Sequence, residues 1–340
     1  MSAPMTPGAG VGGKAPAAGL AAFRKNVPFL APVLVFIVIF GAGGLLYRNF
    51  FSMGVLLNLF TDNAFLGIAA VGMTFVIISG GIDLSVGAVI STSAMIIAVI
   101  DQAGGSPIVG IPVALAFGAV LGFLMGCVIH FFKAHPFIVT LSGMFLARGL
   151  GYVLSWQSVP ITNKFYAQAS QIGIPMGELV KLSVPALMFI AVVIVAAVIQ
   201  RTTRYGRNVY AIGGNEQSAF LMGLPLSRTK ILIYTVSGLL SGLGGVVLTF
   251  YTLSGYGNAA FGLELDSIAS VVIGGTLLTG GVGSVLGTLI GVLILGLIQT
   301  FISFQGTLNT YWTKIFIGMM LFAFILLQKA FVASAGRAKK

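Results

Sequence analysis

The sequence predicts an all-α fold: a polytopic membrane protein of about ten transmembrane helices, with one short helix outside the membrane. Three observations carry that expectation. Hydrophobic residues make up 57% of the 340-residue chain, charged residues 7%, and mean hydropathy is +1.06, whereas soluble domains carry roughly 25% charged residues. The apolar residues gather into ten runs near the ~20 residues that a helix needs to cross a bilayer. The Lys and Arg residues concentrate in alternate connections between those runs, which is the positive-inside pattern.

The runs occupy residues 27–46, 54–78, 84–101, 107–131, 136–155, 182–200, 231–252, 264–280, 283–304 and 311–328. With the N-terminus inside, 13 basic residues fall inside, among them Lys133, Arg201, Arg204, Arg207, Arg228 and Lys230. Four fall outside (Arg48, Lys164, Lys181 and Lys314), and Arg148 lies within a run. An even number of spans then puts both termini in the cytoplasm. Residues 1–25, rich in Ala, Gly and Pro, read as a disordered cytoplasmic tail rather than a cleaved signal peptide. Residues 26–330 form the transmembrane domain, and 331–340 a basic cytoplasmic tail. The net charge of +11 is thus a topology signal, and no nucleic-acid partner is expected. The single Cys127 excludes a disulfide framework and suits a small buried hydrophobe.

The run Ser79–Gly87, SGGIDLSVG, sets one aspartate among glycines at the junction of two apolar runs. A carboxylate in hydrocarbon costs at least ~2.5 kcal/mol, so it needs a reason to be there. Asp83 has two: it can N-cap the helix starting at Leu84, or it can belong to a hinge built on Gly80 and Gly81. The two are compatible.

Small residues recur at four-residue spacing: Gly118, Gly122 and Gly126; Gly238 and Gly242; Gly283, Gly287 and Gly291. Such stripes let helix backbones approach closely in lipid, within one bundle, at a sliding surface or across a dimer contact. A weak internal echo at an offset of 200 residues repeats Ile68, Ala69, Val71, Gly80, Gly81 and Gly87 as Ile268, Ala269, Val271, Gly280, Gly281 and Gly287. Two long connections stand out. Gln157–Lys181 is the large outside loop, with Trp156 and Tyr166 expected near the membrane interface. The inside loop, 201–230, reads as amphipathic: Asn215 caps a short helix, Glu216 meets the positive end of its dipole, and Ala219, Phe220 and Gly223 form a compact face. That helix suits docking to another protein or resting on anionic lipid heads.

Three stretches carry a resemblance to a known family: GIDLSVG at 81–87, YAIGGNEQSAFLMG at 210–223, and ELDSIASVVIGGTLLTGGVGSVLGTLIGVLILGLIQ at 264–299. In them the chain resembles the permease subunit of bacterial ribose/galactose-type sugar ABC importers. TDNAFLGIAAVGMTFVIISGG at 61–81 and GTLNTYWTKIFIG at 306–318 look closest to the galactofuranose importer's permease. The resemblance implies a permease dimer, of identical copies or with a sister permease, beneath a periplasmic sugar-binding protein in the bacterial inner membrane. It implies two cytoplasmic subunits that bind ATP and Mg2+, with no cofactor on this chain. The family's coupling motif maps onto Asn215, Ser218, Ala219 and Gly223, with Ser218-Ala219 where many relatives have Ala-Ala. This moves the inside helix toward docking. Asn58, Asp62, Phe65 and Ala69 fall near one face of the second run, and their polar–aromatic mixture suits a sugar path, although helix packing explains the same residues.

The absences agree. No G-x-x-x-x-G-K-[ST] loop occurs, so this chain does not cradle ATP phosphates in the usual way. An ion-coupled secondary sugar transporter is the alternative, but it needs titratable groups at the midplane, and Asp62, Asp83, Glu264 and Asp266 lie near run ends. Asp62 and Asp83 sit at opposite ends of one run, ~30 Å apart at 1.5 Å per residue, too far for an aspartyl-protease dyad. His130 and His135 flank Lys133 with no acidic neighbour, so neither a catalytic nor a metal site is expected.

Overall fold

Short polar side chains and prolines set where the helices begin. Ser52, Ser106, Ser183 and Ser284 each accept a backbone N–H from the first turn that follows, and Pro107, Pro136 and Pro185 stand at the first helical positions, where a missing N–H costs nothing. The computed structural model describes residues 17–176, 181–309 and 311–337. Its helices are α1 (Ala17–Leu46), α2 (Met53–Asp62), α3 (Ala64–Ile78), α4 (Val86–Gln102), α5 (Pro107–Phe131), α6 (Pro136–Leu154) and α7 (Lys164–Gln171). After them come α8 (Val184–Thr202), α9 (Arg204–Gly214), α10 (Glu216–Leu221), α11 (Leu226–Thr252), α12 (Leu263–Ile273), α13 (Val285–Gln305) and α14 (Tyr311–Arg337). Two short antiparallel pairs tie connections together. In the first, β1 (Val159–Pro160) meets β4 (Ser254–Gly255) with Val159 opposite Gly255. In the second, β2 (Gly173–Pro175) meets β3 (Lys181–Ser183) with Ile174 opposite Leu182.

All ten apolar runs are helical, but they are not ten full spans. Among the described residues six helices are long and apolar enough to cross a membrane: α5, α6, α8, α11, α13 and the Tyr311–Lys329 part of α14. The run 54–78 is broken at Asn63 into α2 and α3, bent by 60°, and counts as a seventh if taken as one span. The run 264–280 yields only the 11-residue α12, ~16 Å long at 1.5 Å per residue. Residues 274–280 leave the helix through Gly275 at φ +92, and the chain before α12 also runs in turns. There the N–H of Ala260 donates to Ser91 Oγ of α4 at 3.0 Å, and Arg148 of α6 donates to Asn258 Oδ1 at 2.8 Å while its guanidinium lies 4.9 Å from the Phe261 ring. Irregular backbone at membrane depth is tolerated where protein supplies its partners; Ser91 supplies one to the backbone, while Arg148 holds the Asn258 side chain.

Helix α3 is buried at every position except Phe65, as expected of a helix that is apolar all round. It is the axis around which α8, α11, α12 and α13 pack. The glycine stripes close the bundle. A methyl on Gly118 would meet the carbonyl oxygen of Gly238, one on Gly238 that of Gly118, and one on Gly122 that of Tyr234, so α5 and α11 touch backbone to backbone. Gly287 and Gly291 do the same for α13 against Gly274 and Ser270 of the α12 end. Of the alternatives left open for these stripes, packing within one bundle accounts for all three.

Three local expectations change. Helix α1 reaches back to Ala17 and α14 forward to Arg337, into the segments expected as tails, while residues 1–16 and 338–340 lie outside the described residues. Tyr166 is buried, 1% exposed, against Phe250. It sits on α7, a helix inside the long connection that apolar periodicity does not reveal.

Candidate functional site

Two glycine turns and the elbow between α9 and α10 meet at the end of the bundle that carries the basic loop 201–230. The first turn follows α3. Ser79 Oγ donates to the Val76 carbonyl at 2.7 Å, and Gly80 takes φ +84, a left-handed conformation that favours glycine. The second turn lies between α12 and α13, with Gly280 at φ +84 and Gly281 at φ +75. The turns rest on each other: the N–H of Gly281 donates to the Ile78 carbonyl at 2.8 Å, and a Cβ on Gly280 would lie 3.0 Å from the Gly80 nitrogen. The echo at 200 residues is therefore structural: helix, glycine turn and helix occur twice, and the two turns are in contact.

Asp83 follows the first turn and is fully buried. Its Oδ1 accepts from the Ser85 N–H at 3.0 Å and the Ser85 hydroxyl at 2.6 Å; its Oδ2 accepts from the Ser237 hydroxyl of α11 at 2.7 Å. The regular helix starts at Val86 rather than at Leu84. Asp83 therefore does not cap α4, whose N-cap is Ser85 with no side-chain cap bond; it closes a two-residue turn onto Ser85 ahead of the helix, and Ser237 adds a tie between the glycine turn and α11 that no local motif contains. Asp83→Ala is expected to cost about 3 kcal/mol of stability, because it orphans buried donors. Asp83→Asn should cost under about 1 kcal/mol, since an amide still accepts from Ser85 and the Ser237 hydroxyl can reverse its bond. Thermal unfolding in detergent measures both; equal losses would show that charge, not hydrogen bonding, holds the tie.

The elbow is built by capping. Thr203 accepts the Gly206 N–H at 3.2 Å to start α9, and Asn215 accepts the Ser218 N–H at 2.7 Å to start α10. Gly223, at φ +75, ends α10: its N–H bonds the Phe220 carbonyl and the Leu224 N–H bonds the Ala219 carbonyl, a Schellman arrangement. Glu216 pairs with Lys230 of α11 at 2.7 Å. The α9 end seats on the glycine turns. A methyl on Gly213 would strike the Ile78 carbonyl. Tyr210 donates its hydroxyl to the Gly283 carbonyl at 2.6 Å, and Gln200 Oε1 of α8 accepts the Val285 N–H at 3.0 Å.

Within α10 the expected compact face is corrected. Ala219 is fully buried, whereas Phe220, Leu221 and Met222 are 68%, 79% and 68% exposed. Ala219 fastens α10 to the bundle, and the three large residues after it form the outward tip. A cleft of about 900 Å³ runs from this tip to the turn, lined by Gly80, Gly81, His130, Lys133, Phe220 and Lys230. The two histidines share that cleft, and among the described residues no three His, Cys, Asp or Glu side chains converge as metal ligands.

At the opposite end, Asn58, Asp62 and Phe65 line a second cavity of about 460 Å³, but Ala69 does not. It is fully buried, because the bend at Asn63 turns α3 away from the face of α2. Sequence reasoning missed Tyr210, Gln200, Gly213 and Ser237. The spacing of the buried Gly206, Val209 and Ile212 behind a Thr cap was the available signal for α9; nothing local marks the others.

Residues 55–325 match the family described as branched-chain amino acid transport system / permease component. The chain is 49% identical to the inner membrane ABC transporter permease protein YjfF of Escherichia coli K12 over 90% of its length and 93% of the relative's. It is 40% identical to the fructose import permease protein FruG of Bifidobacterium longum over 96% of its length and 97% of the relative's. It is 37% identical to the ribose import permease protein RbsC of Bacillus subtilis over 90% and 93%. No solved structure matches the chain. With 90–96% of its length aligned to permeases and six of its helices apolar enough to span, the chain belongs to the family of bacterial ABC-transporter permeases that includes the ribose and fructose import permeases.

Proposed function

We propose that the chain is the membrane-spanning permease of an ATP-driven importer that moves a monosaccharide, galactofuranose or ribose-like, into the bacterial cytoplasm by alternating access. The observation that carries this is the α9–α10 elbow, an exposed apolar tip anchored by backbone contact to both glycine turns. A push on α10 is thereby delivered to the ends of α3, α4, α12 and α13. Sugar rather than amino acid is favoured by the relatives named for fructose and ribose.

In this reading α10 is the coupling helix, in which Asn215, Glu216, Ser218, Ala219 and Gly223 shape and anchor the element that the cytoplasmic ATP- and Mg2+-binding subunits engage. Gly80, Gly81 and Asp83 form the gating turn. In the same reading the ten helical segments cross or enter the membrane with both termini cytoplasmic, an orientation supported by the 13-to-4 basic asymmetry. A periplasmic sugar-binding protein delivers substrate to the other face, and a second permease completes the pathway. Asp83→Asn should then lower uptake severalfold at near-normal stability, because the Ser237 tie is exchanged during the cycle; wild-type uptake would return Asp83 to its turn and packing.

The deciding experiment reconstitutes the permease with its co-purifying subunits in liposomes. Uptake of labelled sugar should require ATP and binding protein and persist when ionophores dissipate ion gradients. Ionophore-sensitive uptake without ATP would restore the ion-coupled alternative.

A further inference from the structure

The cavity beneath the face opposite α10 is built from groups that lipid would not tolerate. Asn58 and Asp62 stand one turn apart on α2, Gln299 and Ser303 one turn apart on α13, and Phe65 and Tyr251 close one side with ring centroids 6.2 Å apart. Asn58, Asp62, Gln299 and Tyr251 make no side-chain hydrogen bond among the described residues, and Ser303 spends its hydroxyl on the Gln299 carbonyl at 3.0 Å. Asn58 and Asp62 are exposed, and an unpaired carboxylate beside two free amides is costly against hydrocarbon, so this face is wet.

The backbone is arranged to make the space. Asn63 donates to the Leu59 carbonyl at 3.0 Å, satisfying an acceptor that the bend releases. Its side chain lies where a Cβ on Gly296 would be, so a glycine on α13 admits the break. Asn58 and Asp62 share the cavity with Gln299 and Ser303 of α13. The volume, about 460 Å³, falls in the ~300–1,000 Å³ range of small-molecule sites.

We infer that this cavity is a monosaccharide subsite in the permease itself: Asp62 accepts from adjacent sugar hydroxyls, the Asn58 and Gln299 amides donate and accept, and the Phe65–Tyr251 pair covers the apolar ring face. The inference rests on the sugar-permease reading and goes beyond it by giving this chain its own share of substrate selection. Affinity is low by necessity, since a pathway must release what it admits.

The test has two readouts on Asp62→Ala and Tyr251→Leu. In saturation-transfer NMR on the detergent-purified permease without binding protein, D-ribose or D-fructose at millimolar concentration should receive transfer from wild type, reduced at least about fivefold in both variants. Equal transfer to wild type and variants overturns the subsite, as does absence of transfer to wild type. In the reconstituted complex, uptake should fall about fivefold while ATPase stimulation by the binding protein stays within about twofold, and Asp62→Glu should recover part of the loss. Unchanged uptake, or parallel loss of uptake and ATPase, also overturns it. Sugar transfer to the isolated permease with no ATP-dependent uptake by the complex would instead count against the transport reading alone.

Discussion

Leu221→Asp is expected to abolish ATP-coupled uptake while leaving the permease itself folded. Leu221 is the most exposed residue of the apolar tip, 79% accessible, and it makes no core contact whose loss would loosen the bundle. A carboxylate forced into a desolvated apolar interface costs roughly 2 kcal/mol or more, about thirtyfold in occupancy of the docked state. Binding-protein-stimulated ATP hydrolysis in the reconstituted complex should fall by at least that much, with the melting temperature of the isolated permease unchanged. Ala219→Arg should behave differently. Ala219 is fully buried, so a long cation there displaces α10 from the bundle and lowers stability as well as coupling. Full ATPase stimulation by Leu221→Asp would remove the tip from the docking surface.

The second large effect is expected in the bundle. Gly118→Leu should destabilise the permease by more than about 4 kcal/mol, the range reserved for overpacking and broken buried networks. The reason is that the side chain would have to displace the Gly238 carbonyl, which is backbone and cannot rotate away. Helices α5 and α11 would separate, and with α11 would go Ser237, the partner of Asp83. Gly149 is the control. It lies on α6, and a Cβ there meets nothing within 4 Å, so Gly149→Leu should be close to neutral. Thermal unfolding and folded yield in detergent compare the two, and similar losses at both positions would show that lipid-facing and interhelical glycines are equivalent here.

A further contrast separates Asp83 from these positions. Its three hydrogen bonds form a polar tie that an amide largely reproduces, so its mutants sort by hydrogen-bond pattern. Gly118 sorts by volume alone.

Composition, run length and the placement of Lys and Arg were enough to mark a polytopic helical membrane protein, because lipid imposes one requirement on every spanning residue: apolar side chains and internally satisfied backbone. The four-residue glycine stripes, the Asn215 cap and the Gly223 stop were equally legible, since each acts through neighbours within one or two turns. What required tertiary structure lay between distant segments. The apolarity of 54–78 conceals the break at Asn63, which exists because Gly296, far along the chain, leaves room for an asparagine side chain. The run 264–280 looks like a span, yet its helix ends at Ile273, where Gly275 turns left-handed at φ +92 and the chain leaves the helix against α13. Ala219 reads in sequence as part of an open face, yet it is fully buried, and Phe220, Leu221 and Met222 are the exposed residues. Apolar pattern records that a residue avoids water; whether lipid, core or a partner protein does the covering is settled by what the rest of the chain brings against it.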